Sequence, residues 1–473
     1  MLLVSCSDDI TGLNQDVKNP TAVPSASLFT YAEKGIVDQM VSTNVNNNVF
    51  RLFVQQWTET TYTDESNYDI ATRTIPDSHF TVFYRDVLKN LQESKRVLET
   101  EIYDGTTQEI ADKNIERVNK KAIIEILTAY SYSILVDTFG NVPYTEALDI
   151  ENHPSPKYDD GKTIYKDLIS RLTAAVGTLD LSKNSFGGAD LIYGGDATKW
   201  KMFANSLRLK LAINLDDIDH TYASAQAIAA VTSGVLSSNM DNAALKYLAT
   251  QPNANQIFVD VVASGRDDFV PTSTIIDKMN ALNDPRRPMF FTQLAGSYIG
   301  GGPGNSNNFS NYSHIGTTIT APTFEGLIMD YSEVEFLLSE AVARSISVGG
   351  TITSHYNNAI SASLNYWNVA PADITTYLLD SNVAYATAPG NWKQKIGEQA
   401  YLALYNRGFE AWTSYRRLDY PILTAPSDAL ISEVPKRYTY PAAEQTLNSS
   451  NNSAAASAIG GDDLTTKLFW DIN

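Results

Sequence analysis

Cysteine is nearly absent. Cys6 is the one thiol in 473 residues, so no intramolecular disulfide can form and no paired-cysteine zinc spacing exists. Histidine is scarce too: His79, His153, His220, His314 and His355 include no pair at the three- or four-residue spacing that turns two imidazoles toward one metal from a single helix. No apolar run approaches the roughly 18 residues of a spanning helix. Basic residues number 35 against 54 acidic, a formal charge of −19. That field repels a phosphate backbone and excludes nucleic acid as an expected partner. The patterns G-x-S-x-G, G-x-G-x-x-G and G-x-x-x-x-G-K-[ST] are also missing, so serine-elbow and nucleotide-phosphate chemistry lack their usual hosts.

What is present is a well-filled chain. Hydrophobic residues at 43 % and aromatics at 10 % exclude a disordered polymer, and the length allows one large domain or several smaller ones. Charged residues make up only 19 %, with 26 Tyr, so polarity falls largely on Asn, Ser, Thr and Tyr. Such a surface of uncharged hydrogen-bonding groups and aromatic faces suits a neutral polar ligand.

The N-terminus carries its own signal. Leu3-Val4-Ser5-Cys6 resembles the lipobox at which bacterial signal peptides are cut and the cysteine acylated. The following Ser7-Asp8-Asp9 is similar to the acidic export signal of surface lipoproteins in Bacteroidetes-type bacteria. Only Met1 to Val4 precede this pair, without a basic segment or an apolar core, so residues upstream of Met1 are expected to complete the signal. Acylated Cys6 would anchor the protein without a spanning helix. Residues 1–24 read as lipoprotein N-terminus and tether, and 25–473 as a single helical domain with loop insertions.

Helical periodicity organises the rest. Ile123, Ile126, Leu127, Tyr130 and Ile134 form one stripe of a helix over 122–139 that stops at Gly140-Asn141-Val142-Pro143. Trp200, Phe203, Ala204, Leu207 and Leu211 repeat the spacing behind Asp196 or Thr198 as candidate N-caps. Tyr331, Val334, Leu338 and Ala341 are followed, after Gly349-Gly350, by Tyr356, Ile360, Leu364 and Trp367, a helix hairpin. Recurring pairs predict a mostly α fold of stacked tetratricopeptide-like hairpins with little β structure. Long segments with turn chemistry lie between them, at 182–196, 253–271 and 296–322. Gly300 to Gly304 read as a mobile turn.

Catalytic chemistry has one candidate. Glu59, Asp64, Glu65 and Asp69 cluster beside Trp57, Tyr62 and Tyr68, and a glycosidase needs only two carboxylates about 5–9.5 Å apart. With 54 acidic residues, such a cluster is more readily a solvated or hydrogen-bonding one.

Several motifs together resemble the SusD/RagB family of Bacteroidetes nutrient-binding outer-membrane lipoproteins. Ala129 through Pro143, A-Y-S-Y-S-I-L-V-D-T-F-G-N-V-P, is similar to that family's helix running into F-G-D-V-P, with Asn141 in place of the acidic residue. Thr198-Lys199-Trp200 with Ala204 to Leu209, Asp284-Pro285-Arg286, Glu410-Ala411-Trp412 with Arg416-Arg417, Pro435 to Tyr438, Tyr440-Pro441 and Lys467 to Asp471 follow in the family's order. The resemblance implies a SusD-like fold and a non-enzymatic lid on the cell outer membrane. Such a lid captures an oligosaccharide or other nutrient and delivers it to a SusC-like TonB-dependent transporter, with no cofactor and no resident metal. The alternatives are a surface glycoside hydrolase and a peptide-binding lid. Glu410 is expected to pair with Arg416 or Arg417, and Arg437 to be structural. The ligand site is expected where an aromatic platform meets amide and guanidinium groups, at Trp57, Tyr62, Asn67, Tyr68 and Arg73, with Tyr298 and Tyr312 as a second choice.

Overall fold

The computed structural model describes residues 23–472, so Cys6 and most of the expected tether lie outside the described residues. Helices dominate, and neighbours in sequence pack on each other: Thr107–Phe139 on Gly161–Thr178, Ala197–Leu215 on His220–Ser233, Tyr331–Ala343 on Ile352–Tyr366, and Trp392–Ala403 on Gly408–Leu418. Gly161–Thr178 also contacts Ala197–Leu215, and Tyr331–Ala343 contacts both Ala197–Leu215 and Trp392–Ala403, which stacks the hairpins into a continuous array. Each amphipathic stripe is thereby hidden on a neighbour. A fully buried Ile or Leu on such a stripe contributes about 1.5–3 kcal/mol.

Local chemistry sets the helix ends. The expected 122–139 helix starts earlier, at Thr107, where Thr106 and Glu109 form a capping box. Its first half is polar and carries no stripe to read. It ends at Gly140, whose φ of 86° a side chain would resist. The apolar half of this helix contains an 18-residue window apolar enough to span a membrane, but 89 % of that window is buried inside the protein. Asp196, not Thr198, caps Ala197–Leu215 by accepting from Thr198 N–H and Lys199 N–H.

The expected pairing of Glu410 with Arg416 or Arg417 is not what forms. Those arginines lie about 10 Å along the helix from Glu410, whereas Arg407, one turn back, approaches it to 3.7 Å. Arg416 instead donates to the carbonyls of Asp137 (2.7 Å) and Lys436 (2.8 Å) and lies 3.4 Å from the Trp412 ring centre. Arg417 takes Glu340 at 3.0 Å. Arg437 is structural as expected, donating to Phe139 O and to Asp462 Oδ1.

Strands are few and short. Trp57–Glu59 pairs antiparallel with Phe269–Pro271, Val142–Pro143 with Tyr158–Asp159, and Ala243–Leu245 with Gly326–Met329. The first of these ladders is the base on which the candidate site stands.

Candidate functional site

The ladder of Trp57–Glu59 with Phe269–Pro271 continues one step further, because Thr60 N–H donates to Asp268 O (2.9 Å) and Thr60 Oγ1 to Asp267 O (2.6 Å). Residues 61–62 therefore emerge opposite Arg266. On the other edge, the glycine-rich segment is tied down rather than mobile. Gly301 N–H donates to Pro271 O, Ser273 N–H to Gly301 O, and Asn307 N–H to Thr60 O. Gly300 has no room for a side chain, since a Cβ there would lie 2.4 Å from the Thr272 backbone.

The buried Asn307 side chain is the hub. Its Nδ2 donates to the carbonyls of Glu59 (3.1 Å), Gly302 (3.1 Å) and Asn305 (2.7 Å), and its Oδ1 accepts from Gly302 N–H (2.9 Å). Asn307→Ala is expected to leave several of these groups without partners, at a cost of about 1–3 kcal/mol. A lower melting temperature, with faster amide exchange confined to residues near 299–307, checks this.

A recess of about 230 Å³ opens at the free end of the ladder, lined by Asn44, Asn46, Tyr62, Arg73, Arg266 and Asp268 among others. Tyr62 is 74 % exposed, an aromatic face over a polar floor. Two guanidinium groups reach it, each with a carboxylate beside it. Arg73 pairs with Glu65, and Arg266 Nε donates to Asp268 Oδ2 at 2.6 Å. Asn44 Oδ1 accepts from both N–H groups of Asn46, which shapes the facing turn. Asp260 closes one wall by accepting from Thr43 N–H and Oγ1; burial pushes its carboxyl above the usual range. Each guanidinium is neutralised by its own carboxylate, and hydrogen-bonding capacity is high.

The backbone here is strained. Among the described residues, eleven non-glycine residues have positive φ, and four of them fall in this one segment: Gln55 (51°), Tyr62 (54°), Tyr68 (70°) and Thr74 (49°). Each left-handed side-chain-bearing residue costs about 1–2 kcal/mol. Strain of this kind clusters where a surrounding structure holds a side chain for use.

Beneath Tyr62 lie two carboxyls. Glu59 and Glu65 are both buried, 4 % and 0 % exposed. Burial first, and the neighbouring Glu65 second, push the Glu59 carboxyl well above the usual carboxylate range. Glu59 Oε2 accepts from Ser66 N–H at 2.9 Å, and Ser66 Oγ accepts from Glu59 N–H at 3.0 Å. Both carboxyls are spent on internal partners, Glu59 on Ser66 and Glu65 on Arg73. Asp69, the fourth member of the cluster's periphery, caps Ala71 N–H and Thr72 N–H instead.

Of the seven expected ligand contacts, Tyr62 and Arg73 come together in the recess. Trp57 and Tyr68 do not belong there. Every residue from Phe50 to Thr60 is buried, because this strand is covered on both faces. Trp57 Nε1 donates to Tyr405 Oη at 2.8 Å, with Arg51 5.1 Å from its ring centre. Tyr68 packs edge-on to Phe53 and accepts from Gln55 Nε2. Asn67 is a buried strut, donating to Thr63 O and Gly304 O. Tyr298 and Tyr312 lie on neighbouring segments joined by Ser313 N–H to Ile299 O (2.8 Å) and Ile299 N–H to Ser313 Oγ (3.0 Å), outside the recess. The recess also takes in Asn44, Asn46, Arg266 and Asp268, which the sequence reading missed; the asparagine run at 44–48 was the available signal.

A family model described as "Starch-binding associating with outer membrane" matches residues 17–441. No curated protein matches. Among solved structures, a chitin-binding protein is 26 % identical, with a TM-score of 0.81 over 95 % of this chain and 100 % of its own. A SusD homolog from Bacteroides uniformis is 24 % identical at a TM-score of 0.79, covering 94 % and 99 %. A chitin-binding SusD homolog from Flavobacterium johnsoniae is 22 % identical at 0.77, covering 95 % and 98 %. The last two show a shared fold.

Proposed function

This chain belongs to the SusD-like family, described as starch-binding and associating with the outer membrane, and on that premise we propose that it binds a neutral glycan at the Tyr62 recess. The observation that carries this reading is an exposed tyrosine ring held in a left-handed conformation above a set of amides, guanidiniums and carboxylates. A sugar ring offers a weakly polar C–H face to stack on Tyr62 and a rim of hydroxyls for Asn44, Asn46, Arg73 and Arg266. Two relatives of the same fold are described as chitin-binding, which favours oligosaccharide over peptide.

Binding here breaks no bond. The protein is a surface lipoprotein, anchored through acylated Cys6, that passes its ligand to a SusC-like TonB-dependent transporter. Tyr298 and Tyr312 serve as an accessory contact for a longer chain.

Calorimetric titration with maltohexaose and chitohexaose, followed by a panel of neutral oligosaccharides, tests the reading. Saturable binding to at least one, with no reducing ends released from the matching polysaccharide, is the expected result. Silence across the panel, or release of reducing sugar, would contradict it.

A further inference from the structure

The Tyr62 recess has a neighbour. Beside the helix Ser25–Val41 lies a second recess of about 270 Å³, lined by Tyr31, Lys34, Asn47, Val82, Asp86 and Gln256 among others. Its make-up repeats the first. Tyr31 is 57 % exposed and stands outside the hydrophobic core. The charged groups are paired: Lys34 with Asp38, and Asp86 with Arg85, which donates to it at 2.7 and 2.8 Å. The side-chain amides of Asn47 and Gln256 have no hydrogen-bond partner among the described residues. An aromatic face beside uncommitted amides is what a sugar ring and its hydroxyls need.

The two recesses lie on either side of one turn. Ser42 and Asn47 line the Tyr31 recess, while Thr43 to Asn46 between them line the Tyr62 recess. On the opposite wall, Gln256 belongs to the one and Asp260, four residues on, to the other. Hydrogen bonds fix this ridge. Asn47 O accepts from Gln39 Nε2 at 2.8 Å, Asn48 N–H donates to Asn44 O at 3.0 Å, and Asp260 Oδ2 accepts from Thr43 N–H at 3.2 Å. Asn46 at its crest is exposed. A ligand leaving one recess meets the other after crossing only this turn.

The backbone marks the same place. Among the described residues it takes the π-helical form twice, at Val82–Leu88 and Phe258–Ala263. The first supplies Val82 and Asp86 to the Tyr31 recess, and the second supplies Asp260 to the Tyr62 recess. Turns widened in this way are rare and concentrate at functional sites.

We infer that the Tyr31 recess is a second sugar subsite, continuous with the first across the 42–47 turn, and that the ligand is a linear oligosaccharide stacking on both tyrosines. The inference rests on the Tyr62 recess being the glycan site. Tyr31 stands about 15 Å along the helix axis from Val41, before the width of the ridge is added. A short oligosaccharide seated on Tyr62 stops before it, and a longer one reaches it.

Calorimetric titration of wild type and Tyr31→Ala with the trimers and hexamers of the malto- and chito-oligosaccharides tests this. In the series that binds, the hexamer is expected to bind wild type more tightly than the trimer. In Tyr31→Ala the hexamer is expected to lose about two- to tenfold in affinity, the range of a single stacking contact, while the trimer keeps its own. The melting temperature is expected to stay unchanged, because the ring is on the surface. A length effect arising at Tyr298 and Tyr312 would survive the substitution. Where wild type binds, any pattern without a hexamer-selective loss in Tyr31→Ala overturns the second subsite and leaves the Tyr62 recess standing. If neither series binds wild type, the reading of the Tyr62 recess fails and its extension falls with it.

Discussion

Trp57→Ala is expected to lower the stability of the fold by about 3–5 kcal/mol, the cost of emptying a packed tryptophan site. The indole is 1 % exposed. Its loss also strands the Tyr405 hydroxyl that it meets at 2.8 Å and removes the ring beneath Arg51, in a layer where Phe269 packs 5.9 Å away. A tryptophan serving as an exposed stacking platform behaves in the opposite way: its truncation costs less than about 0.5 kcal/mol of stability and shows up in ligand affinity. Thermal or urea unfolding of the variant separates the two. A large drop in midpoint places Trp57 in the core, and an unchanged midpoint with lost affinity would return it to the site.

Why the sequence suggested a platform there is instructive. The stretch from Phe50 to Thr60 alternates in neither the helical nor the strand sense, because the short strand Trp57–Glu59 is covered on both faces and its polar residues are spent on distant partners. Gln56 Nε2 donates to Leu404 O, Gln55 Nε2 to Thr424 O, and Asn307 reaches Glu59 O from 248 positions away. Such long-range satisfaction leaves no local pattern. The same holds for Asn67, whose amide looks ligand-ready in sequence and is consumed by Thr63 and Gly304.

Helices were legible for the converse reason. The stripe of Ile123, Ile126, Leu127, Tyr130 and Ile134 and the stop at Gly140 are local facts, and each appears in the fold as written in the chain. Left-handed backbone at Tyr62 had no glycine to announce it, so this feature of the recess was invisible to residue chemistry alone.

Tyr62→Asn exploits that feature. Asparagine adopts the left-handed region more readily than tyrosine, so the variant is expected to match or exceed wild-type stability by up to about 1 kcal/mol. Removing the ring at the same time is expected to weaken glycan binding by about tenfold, close to the upper value of a single stacking contact, ~1.5 kcal/mol. Gain in stability with loss of binding is the mark of a residue held in strain for function. A core aromatic gives the reverse, as Trp57 should.

The measurement closest to the claim follows the ring itself. With 3-fluorotyrosine incorporated throughout, the fluorine resonance absent from Tyr62→Asn is that of Tyr62. During titration with the oligosaccharide that binds, this resonance is expected to move in step with calorimetric saturation, while those of buried Tyr68 and Tyr405 stay in place. A Tyr62 resonance that remains fixed at full saturation would contradict a glycan site at this recess.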